Sequence, residues 1–214
     1  MKILVTGFDP FGGESVNPAY EAVKLLPDEI KGAEIVKLEI PTVFSKSGPA
    51  VEAGILEHHP DVVINVGQAG GRASVTIEKV AINFADARIP DNDGEQPIDE
   101  PLQPDGETAY FATIPVKAMM QNVRNHGLPC SVSYTAGTYV CNSIMYNVLY
   151  LCAKRYPGIR AGFIHVPYAC SQTVDKAAGT PSMPLETIAK SLEYAIEAVV
   201  ENETDVKVGA GETH

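Results

Sequence analysis

The alternation of short apolar runs with segments of helical spacing most constrains how this chain can fold. The apolar runs predict strands at residues 2–8, 33–41, 61–68, 130–134 and 160–167. The segments with helical spacing predict helices at residues 17–26, 46–59, 116–125, 142–155 and 184–202. Residues 74–83 also have an extended pattern, and residues 86–107 are rich in turn formers. Because parallel strands buried on both faces are continuously apolar, this alternation predicts an α/β domain with a largely parallel sheet covered on both faces.

The length and composition predict one domain. The chain has 214 residues, 45% of them hydrophobic, and shows no internal repeat and no composition shift that would mark a linker. A chain of this size can bury a substantial core. We expect a single domain over residues 1–205, followed by a small, polar tail at residues 206–214 that is frayed.

The charge and cysteine content exclude several classes of protein. With 16 basic and 27 acidic residues the formal net charge is −11, which disfavours nucleic acid and anionic membrane surfaces as partners. No run approaches the roughly 20 apolar residues of a membrane span, and the N-terminus does not resemble a signal peptide. Four cysteines without a CxxC pair do not suggest a disulfide framework in a chain of this length, so we expect a reduced, cytoplasmic protein.

Functional residues are expected where strands end, because ligand sites in open α/β sheets lie beyond the carboxyl ends of the strands. Residues 7–13, 67–72 and 137–142, together with His165, occupy such positions in the predicted fold. The candidate catalytic groups lie among them.

Cys141 is the candidate nucleophile because it lies at the first turn of a predicted helix. Unpaired N–H groups and the helix dipole at such a position stabilise a thiolate and lower its pKa. The same N–H groups can donate to a developing oxyanion. Cys130, Cys152 and Cys170 fit packed, unreactive thiols, and from its position alone Cys141 also has that alternative.

His165 is the candidate base for such a nucleophile. It ends a predicted buried strand just before Pro167, where a core histidine bonded only to backbone is the alternative interpretation. The remaining histidines fit the solvated surface: His58, His59, His126 and His214.

Glu78 is a candidate third member of this group. Strand alternation places it on an apolar face with Val80, and a buried carboxylate needs a partner. That partner is either His165, which a carboxylate would orient, or a nearby cation such as Arg72 or Lys79.

The opening stretch "TGFDPFGG" is similar to a phosphate loop but differs in its details. Gly7 and Gly12 have the right separation, yet the Lys-Ser/Thr pair of such a loop is missing and Asp9 would repel phosphate. Phe8 and Phe11 remain, either as core residues or as aromatic walls for a flat, neutral ligand.

The acidic segment at residues 86–107 does not predict a metal site. Its "DNDGE" offers oxygen atoms but lacks the spacing of an EF-hand loop. Arg88 is a lone cation there, which suits either an ion pair or the stabilisation of an anion in the site.

The motifs "KILVTGFDPFGG", "NPAYEAV", "VGQAGGR", "VTIEKVAINFADARIPDN", "GTYVCN" and "HVP" occur in this order. With them the chain resembles the pyrrolidone carboxyl peptidases, or pyroglutamyl peptidases I, over nearly its whole length apart from the tail. The resemblance implies removal of an N-terminal pyroglutamate from peptides by a Cys-His-Glu triad, here Cys141, His165 and Glu78. It also implies a single α/β domain of the phosphorylase/hydrolase type with a mixed sheet between helices, a homotetramer, and no metal or cofactor.

The same resemblance implies a set of residues around the substrate. These are Phe8, Phe11, Asn17, Gln68, Arg88, Tyr139 and Val140. The competing interpretation is a phosphorylase-like nucleoside binder that uses the glycine loops. It would need a cationic phosphate site, for which the candidate loops offer only Arg72 and Arg88.

Overall fold

The computed structural model describes residues 1–211 of the chain. Its helices are α1 (Pro18–Lys24), α2 (Phe44–His58), α3 (Val116–Asn125), α4 (Val140–Lys154) and α5 (Leu185–Glu201), with a 3₁₀ turn at Cys170–Thr173. The strands of its large sheet are β1 (Lys2–Phe8), β2 (Glu29–Ile30), β3 (Ala33–Ile40), β4 (Val62–Gln68), β5 (Val75–Glu78), β8 (Cys130–Ser133) and β9 (Arg160–Val166). The remaining strands form two small sheets: β6 (Val80–Ile82) with β7 (Ala109–Phe111), and β10 (Tyr168–Ala169) with β11 (Ser182–Met183).

The large sheet has seven strands in the order β2-β3-β1-β4-β9-β5-β8. Its pairs are parallel except for β2 with β3 and β5 with β9, which are antiparallel. The predicted single α/β domain with a mixed, mostly parallel sheet between helices is therefore confirmed. The central strands β1, β4 and β9 are buried along almost their whole length, as their continuous apolar runs predicted.

Two glycines show how helices cover opposite faces of this sheet. A Cβ atom at Gly7 would lie 2.5 Å from the Tyr20 Cα of α1, and one at Gly67 would lie 2.9 Å from the Cys141 Sγ of α4. Gly7 pairs with Val66, so Gly67 projects to the other face. Helices α1, α3 and α5 pack together, as do α2 and α4, which gives a three-layer domain.

The acidic segment after β6 stabilises a helix start. Helix α2 has no side-chain cap from its own first turn, and carboxylates from this segment replace it. Asp91 Oδ2 accepts a hydrogen bond from the Phe44 N–H (2.8 Å), and Glu95 Oε2 accepts one from the Ser45 N–H (3.0 Å). The negative charges thus meet the positive end of the helix dipole. Across residues 1–211 no group of three or more His, Cys, Asp or Glu side chains is arranged to hold a metal ion.

The structure differs from the predicted elements in a few places. Residues 74–83 form two strands instead of one, because the chain turns at Lys79 and β6 leaves the large sheet to pair with β7. Helix α4 begins at Val140, two residues before its predicted start, so Cys141 lies inside its first turn. No helix within the described part of the chain is long and apolar enough to cross a membrane.

Part of the tail that was expected to be frayed is held against the domain. Val206 and Ala210 pack on the core, and Lys117 Nζ donates a hydrogen bond to the Val208 carbonyl (2.7 Å). The Tyr134 hydroxyl donates to the Ala210 carbonyl (3.2 Å). This packing is possible because Val206 and Ala210 are apolar side chains in an otherwise small and polar segment. Residues 212–214, with His214, lie outside the described part.

Candidate active site

The strand register brings the candidate groups to one face of the sheet. On β9, His165 pairs with Gly67 of β4 and with Thr76 of β5, and Phe163 pairs with Glu78. Because paired residues on neighbouring strands project to the same side, all five lie on the face that α4 covers. The three candidate catalytic residues therefore come from β5, β9 and the start of α4.

Glu78 binds both partners that the sequence left open. Its side chain is 0% exposed, and Oε1 accepts hydrogen bonds from His165 Nδ1 (2.7 Å) and from Arg72 Nη1 (2.6 Å). Burial acts to raise the pKa of Glu78, but its interactions with His165, followed by those with Ser133 and the charge of Arg72, outweigh burial and lower the pKa below its usual value. Glu78 is therefore an ionised acceptor.

This carboxylate fixes which ring nitrogen of His165 carries the proton. An ionised carboxylate can only accept, so Nδ1 is the donor and Nε2 keeps a free lone pair. Burial lowers the pKa of His165, and Glu78 offsets only part of that effect. His165 is thus neutral at pH 7, with Nε2 able to accept a proton.

Cys141 lies over β4, beside the strand that carries His165. The space under its thiol exists because residue 67 is glycine: a Cβ atom there would lie 2.9 Å from Cys141 Sγ and 2.6 Å from Phe163 Cζ. Gly67 is the register partner of His165, and adjacent strands lie about 4.8 Å apart. No hydrogen bond joins the thiol to the imidazole within residues 1–211, so the thiol is next to the base without being bonded to it.

The ionisation of Cys141 differs from the sequence-based expectation. Burial and, to a smaller extent, the charge of Glu78 raise the pKa of the Cys141 thiol to about 12, although the charge of Arg72 acts in the opposite direction. The helix start was expected to lower this pKa, but desolvation of a thiolate in a buried site is the larger effect. The thiol is therefore protonated at neutral pH and needs a base to remove its proton.

The start of α4 supplies free N–H donors around the thiol. The helix has no side-chain cap, and its first intrahelical bond runs from the Ser143 N–H to the Tyr139 carbonyl. No acceptor in the described chain takes the N–H groups of Val140, Cys141 or Asn142. Such groups can stabilise an oxyanion formed next to the sulfur.

Aromatic side chains lie beside this helix start. The Phe11 ring is 6.3 Å from the Tyr139 ring, and the Tyr139 hydroxyl donates a hydrogen bond to the Pro90 carbonyl (3.0 Å). Phe8 is 2% exposed and belongs to the core, on the same face as Gly67 by strand alternation. Val140 is fully buried as the first residue of α4.

The other residues implied by the resemblance have different surroundings. Asn17 caps α1 through the Ala19 N–H (3.1 Å) and donates to the Asp9 carbonyl (2.9 Å). Gln68 accepts a hydrogen bond from Gln172 Nε2 (2.9 Å). Arg88 is exposed and forms no ion pair with any residue from 1 to 211. The first two side chains thus support the loops beside the site, and the guanidinium of Arg88 is in solvent.

Two further residues organise the site and were not predicted to do so. Gly67 was only part of a candidate segment, and no local pattern shows which side chains would cover it. Asn142 accepts from the Ile82 N–H (3.0 Å) and donates to the carbonyls of Ile82 (3.0 Å) and Phe84 (2.9 Å). A buried amide next to Cys141 in an apolar helix was the available signal for this contact.

A cysteine at an uncapped helix start, beside a histidine held by a carboxylate, is the arrangement of a cysteine-type hydrolase. A family model described as pyroglutamyl peptidase matches residues 1–202. A pyrrolidone-carboxylate peptidase of Enterococcus faecalis is 60% identical over 214 residues, with 100% of both chains covered. One of Clostridium botulinum is 59% identical over 212 residues, with 99% of each chain covered.

Solved structures agree with these sequence relatives. Pyroglutamyl peptidase I of Bacillus amyloliquefaciens superposes with a TM-score of 0.94 at 46% identity, covering 97% of this chain and 99% of that one. Pyrrolidone carboxyl peptidase of Thermococcus litoralis gives 0.93 at 39% identity, with the same coverage. The chain belongs to the pyroglutamyl peptidase family.

The close fit at Gly67 predicts the effect of adding one methyl group. In Gly67→Ala the new Cβ must displace Cys141 or Phe163, and a misplacement of about 1 Å can reduce the rate about 10²-fold. We expect such a loss in kcat/KM for a pyroglutamyl chromogenic amide, with the fold retained by circular dichroism. Gly48→Ala in α2 is the control, because its Cβ would lie 3.7 Å from Asn147 Cβ, an ordinary contact. A wild-type rate in Gly67→Ala would contradict this role of the glycine.

Proposed function

We propose that the protein is a cysteine exopeptidase that removes an N-terminal pyroglutamyl (5-oxoprolyl) residue from peptides through a thioester intermediate. The observation that carries this proposal is the buried hydrogen bond of 2.7 Å between His165 Nδ1 and Glu78 Oε1, next to the Cys141 thiol. The names of the relatives support the substrate class. Cys141 is then the nucleophile, His165 the base and Glu78 the group that orients it.

Acylation begins with two neutral groups. Nε2 of His165 accepts the thiol proton while the Cys141 sulfur attacks the carbonyl carbon of the pyroglutamyl residue. A C–S bond forms, and the carbonyl π electrons move to oxygen. The N–H groups of Val140 and Cys141 stabilise this oxyanion; removing one such donor typically lowers the rate about 10²–10³-fold.

Collapse of this intermediate releases the shortened peptide. The imidazolium of His165 gives its proton to the departing amine nitrogen as the C–N bond breaks, which leaves a thioester on Cys141. A water molecule then attacks the thioester carbonyl and loses a proton to Nε2. The C–S bond breaks, pyroglutamate leaves, and the sulfur regains its proton.

The surroundings of the thiol suit the pyroglutamyl ring. This ring is a flat lactam without an α-ammonium group, so apolar walls and backbone hydrogen bonds can bind it without a carboxylate partner. The rings of Phe11 and Tyr139 supply the walls, and Phe8 is buried in the core on the same face of the sheet as Gly67. The carboxylate of Asp9 is occupied, since Oδ1 accepts from the Thr42 N–H (2.7 Å) and from Asn92 Nδ2 (3.3 Å).

Replacement of the nucleophile tests the proposal directly. Cys141→Ala should abolish hydrolysis of a pyroglutamyl chromogenic amide and keep the circular dichroism spectrum of the wild type, and Cys141→Ser should be nearly as inactive. The exposed Cys170 provides the matched control, because Cys170→Ser should keep the full rate. A thiol alkylator should block the wild type. Turnover at the wild-type rate in Cys141→Ala would contradict the assignment of Cys141 as the nucleophile.

Comparison of pyroglutamyl with prolyl amides tests how the ring is recognised. Proline has the same ring size, but it carries a charged secondary amine and lacks the lactam carbonyl. Binding it would desolvate that charge without a partner and leave the lactam-binding groups unpaired, and sites built for polar groups can reject such analogues about 10⁴-fold. We expect kcat/KM for the pyroglutamyl amide to exceed kcat/KM for the prolyl amide by a factor of about 10⁴. Comparable values would show that the lactam is not recognised.

We also propose that the protein acts as a homotetramer in the cytoplasm. Exposed apolar side chains, such as Phe111 (64% exposed) and Ile98 (62%), support association, and four free cysteines suit a reducing compartment. Analytical ultracentrifugation at micromolar concentration should give the mass of four chains. A monomer at that concentration would contradict the tetramer, and recovery of the protein outside the cytoplasmic fraction of its cells would contradict the location.

A further inference from the structure

Arg72 connects the Glu78–His165 pair to the segment that leads to Cys141. It follows β4, and its side chain is 30% exposed. Nη1 donates hydrogen bonds to Thr76 Oγ1 (2.5 Å) and Glu78 Oε1 (2.6 Å), and Nη2 donates to the Thr135 carbonyl (3.1 Å). One guanidinium therefore fixes two residues of β5 and the loop that precedes α4.

The charge of Arg72 is needed because Glu78 is buried. A fully buried carboxylate must be neutralised or protonated, and a neutral imidazole cannot neutralise it. Within the described chain, the ion pairs of Glu78 are those with Arg72 and with His165. Since His165 is neutral at rest, Arg72 provides the compensating charge.

The charges then balance before and after the proton moves. At rest, one positive Arg72 and one negative Glu78 accompany a neutral imidazole and a neutral thiol. After the thiol proton has moved to His165, the site holds two positive and two negative groups. The net charge is zero in both states, so proton transfer does not place an uncompensated charge in a buried site.

We propose that Arg72 is a positioning residue that keeps Glu78 ionised and bonded to His165, so that the imidazole stays neutral and able to accept the thiol proton. This inference rests on the function proposed above, because it assigns His165 the role of base. A purely structural Arg72 would also hold β5 and the loop together, but its loss would lower the rate equally at every pH.

The pH dependence separates these two roles. Among residues 1–211, the titratable groups around His165 are Glu78 from β5, Arg72 from the turn after β4 and Cys141 from α4, and its register partner on β4 is the uncharged Gly67. The charge of Arg72 disfavours an imidazolium, so its removal raises the pKa of His165. The histidine is then protonated at neutral pH, and it can act as a base only at higher pH.

The test compares pH profiles of kcat/KM for the pyroglutamyl amide. Arg72→Gln should move the acidic limb upward by about one to two pH units, with much of the rate recovered at high pH. Arg72→Lys keeps the charge and should keep the acidic limb of the wild type at a lower rate. Arg155→Gln makes the same charge change at an exposed arginine paired with Glu52. It should change neither the position of the acidic limb nor the maximal rate. An unshifted limb in Arg72→Gln would overturn the proposal.

A second measurement does not depend on turnover. The ring signals of His165 are titrated by NMR in two proteins, the Cys141→Ser variant and the Cys141→Ser/Arg72→Gln double variant. The pKa of His165 should be higher in the double variant. If the wild type hydrolyses no pyroglutamyl amide, the proposed function fails, and this titration still decides the role of Arg72. If Arg72→Gln does not fold, Arg72→Lys decides it, since an upward shift of the acidic limb in the lysine variant would exclude charge as the cause.

Discussion

The buried carboxylate of Glu78 is the constraint on which the site depends. A buried charge needs hydrogen-bond donors and an opposite charge, and here Oε1 alone accepts from both His165 and Arg72, whereas Oε2 has no hydrogen-bond partner in the described chain. The first bond fixes the histidine tautomer, and the second supplies the opposite charge. The antiparallel pairing of β5 with β9 makes this possible, because it places Glu78 and His165 on the same face of the sheet.

Close packing across the sheet decides how the thiol is placed. Gly67 leaves room for the Cys141 sulfur. On the opposite face of the sheet, Gly7 leaves room for the backbone of α1 at Tyr20. The start of α4 is also held from the side, because Asn142 binds the backbone on both sides of Asn83 and Tyr139 binds the Pro90 carbonyl. Backbone contacts therefore set the position of the Cys141 thiol, and its protonation follows from burial.

The acidic segment at residues 86–107 uses part of its charge to stabilise the start of a helix that is distant in sequence. Asp91 and Glu95 place their carboxylates at the start of α2, where the N–H groups of Phe44 and Ser45 need acceptors. The same segment reaches the Tyr139 hydroxyl through Pro90. The carboxylates of Asp91 and Glu95 thus stabilise the start of α2, and the Pro90 backbone carbonyl contacts the start of α4.

The sequence by itself determined the α/β class, the strand that carries His165 near its end and the helix start that carries Cys141, because these follow from local periodicity and short motifs. It limited the partners of Glu78 to a histidine or a cation but could not choose, and the tertiary structure shows both bound to one oxygen. Only the tertiary structure decided the pKa of Cys141, which burial raises, and the supporting hydrogen bonds of Asn17 and Gln68. Desolvation and long-range register depend on which residues meet in space, and no local pattern contains that information.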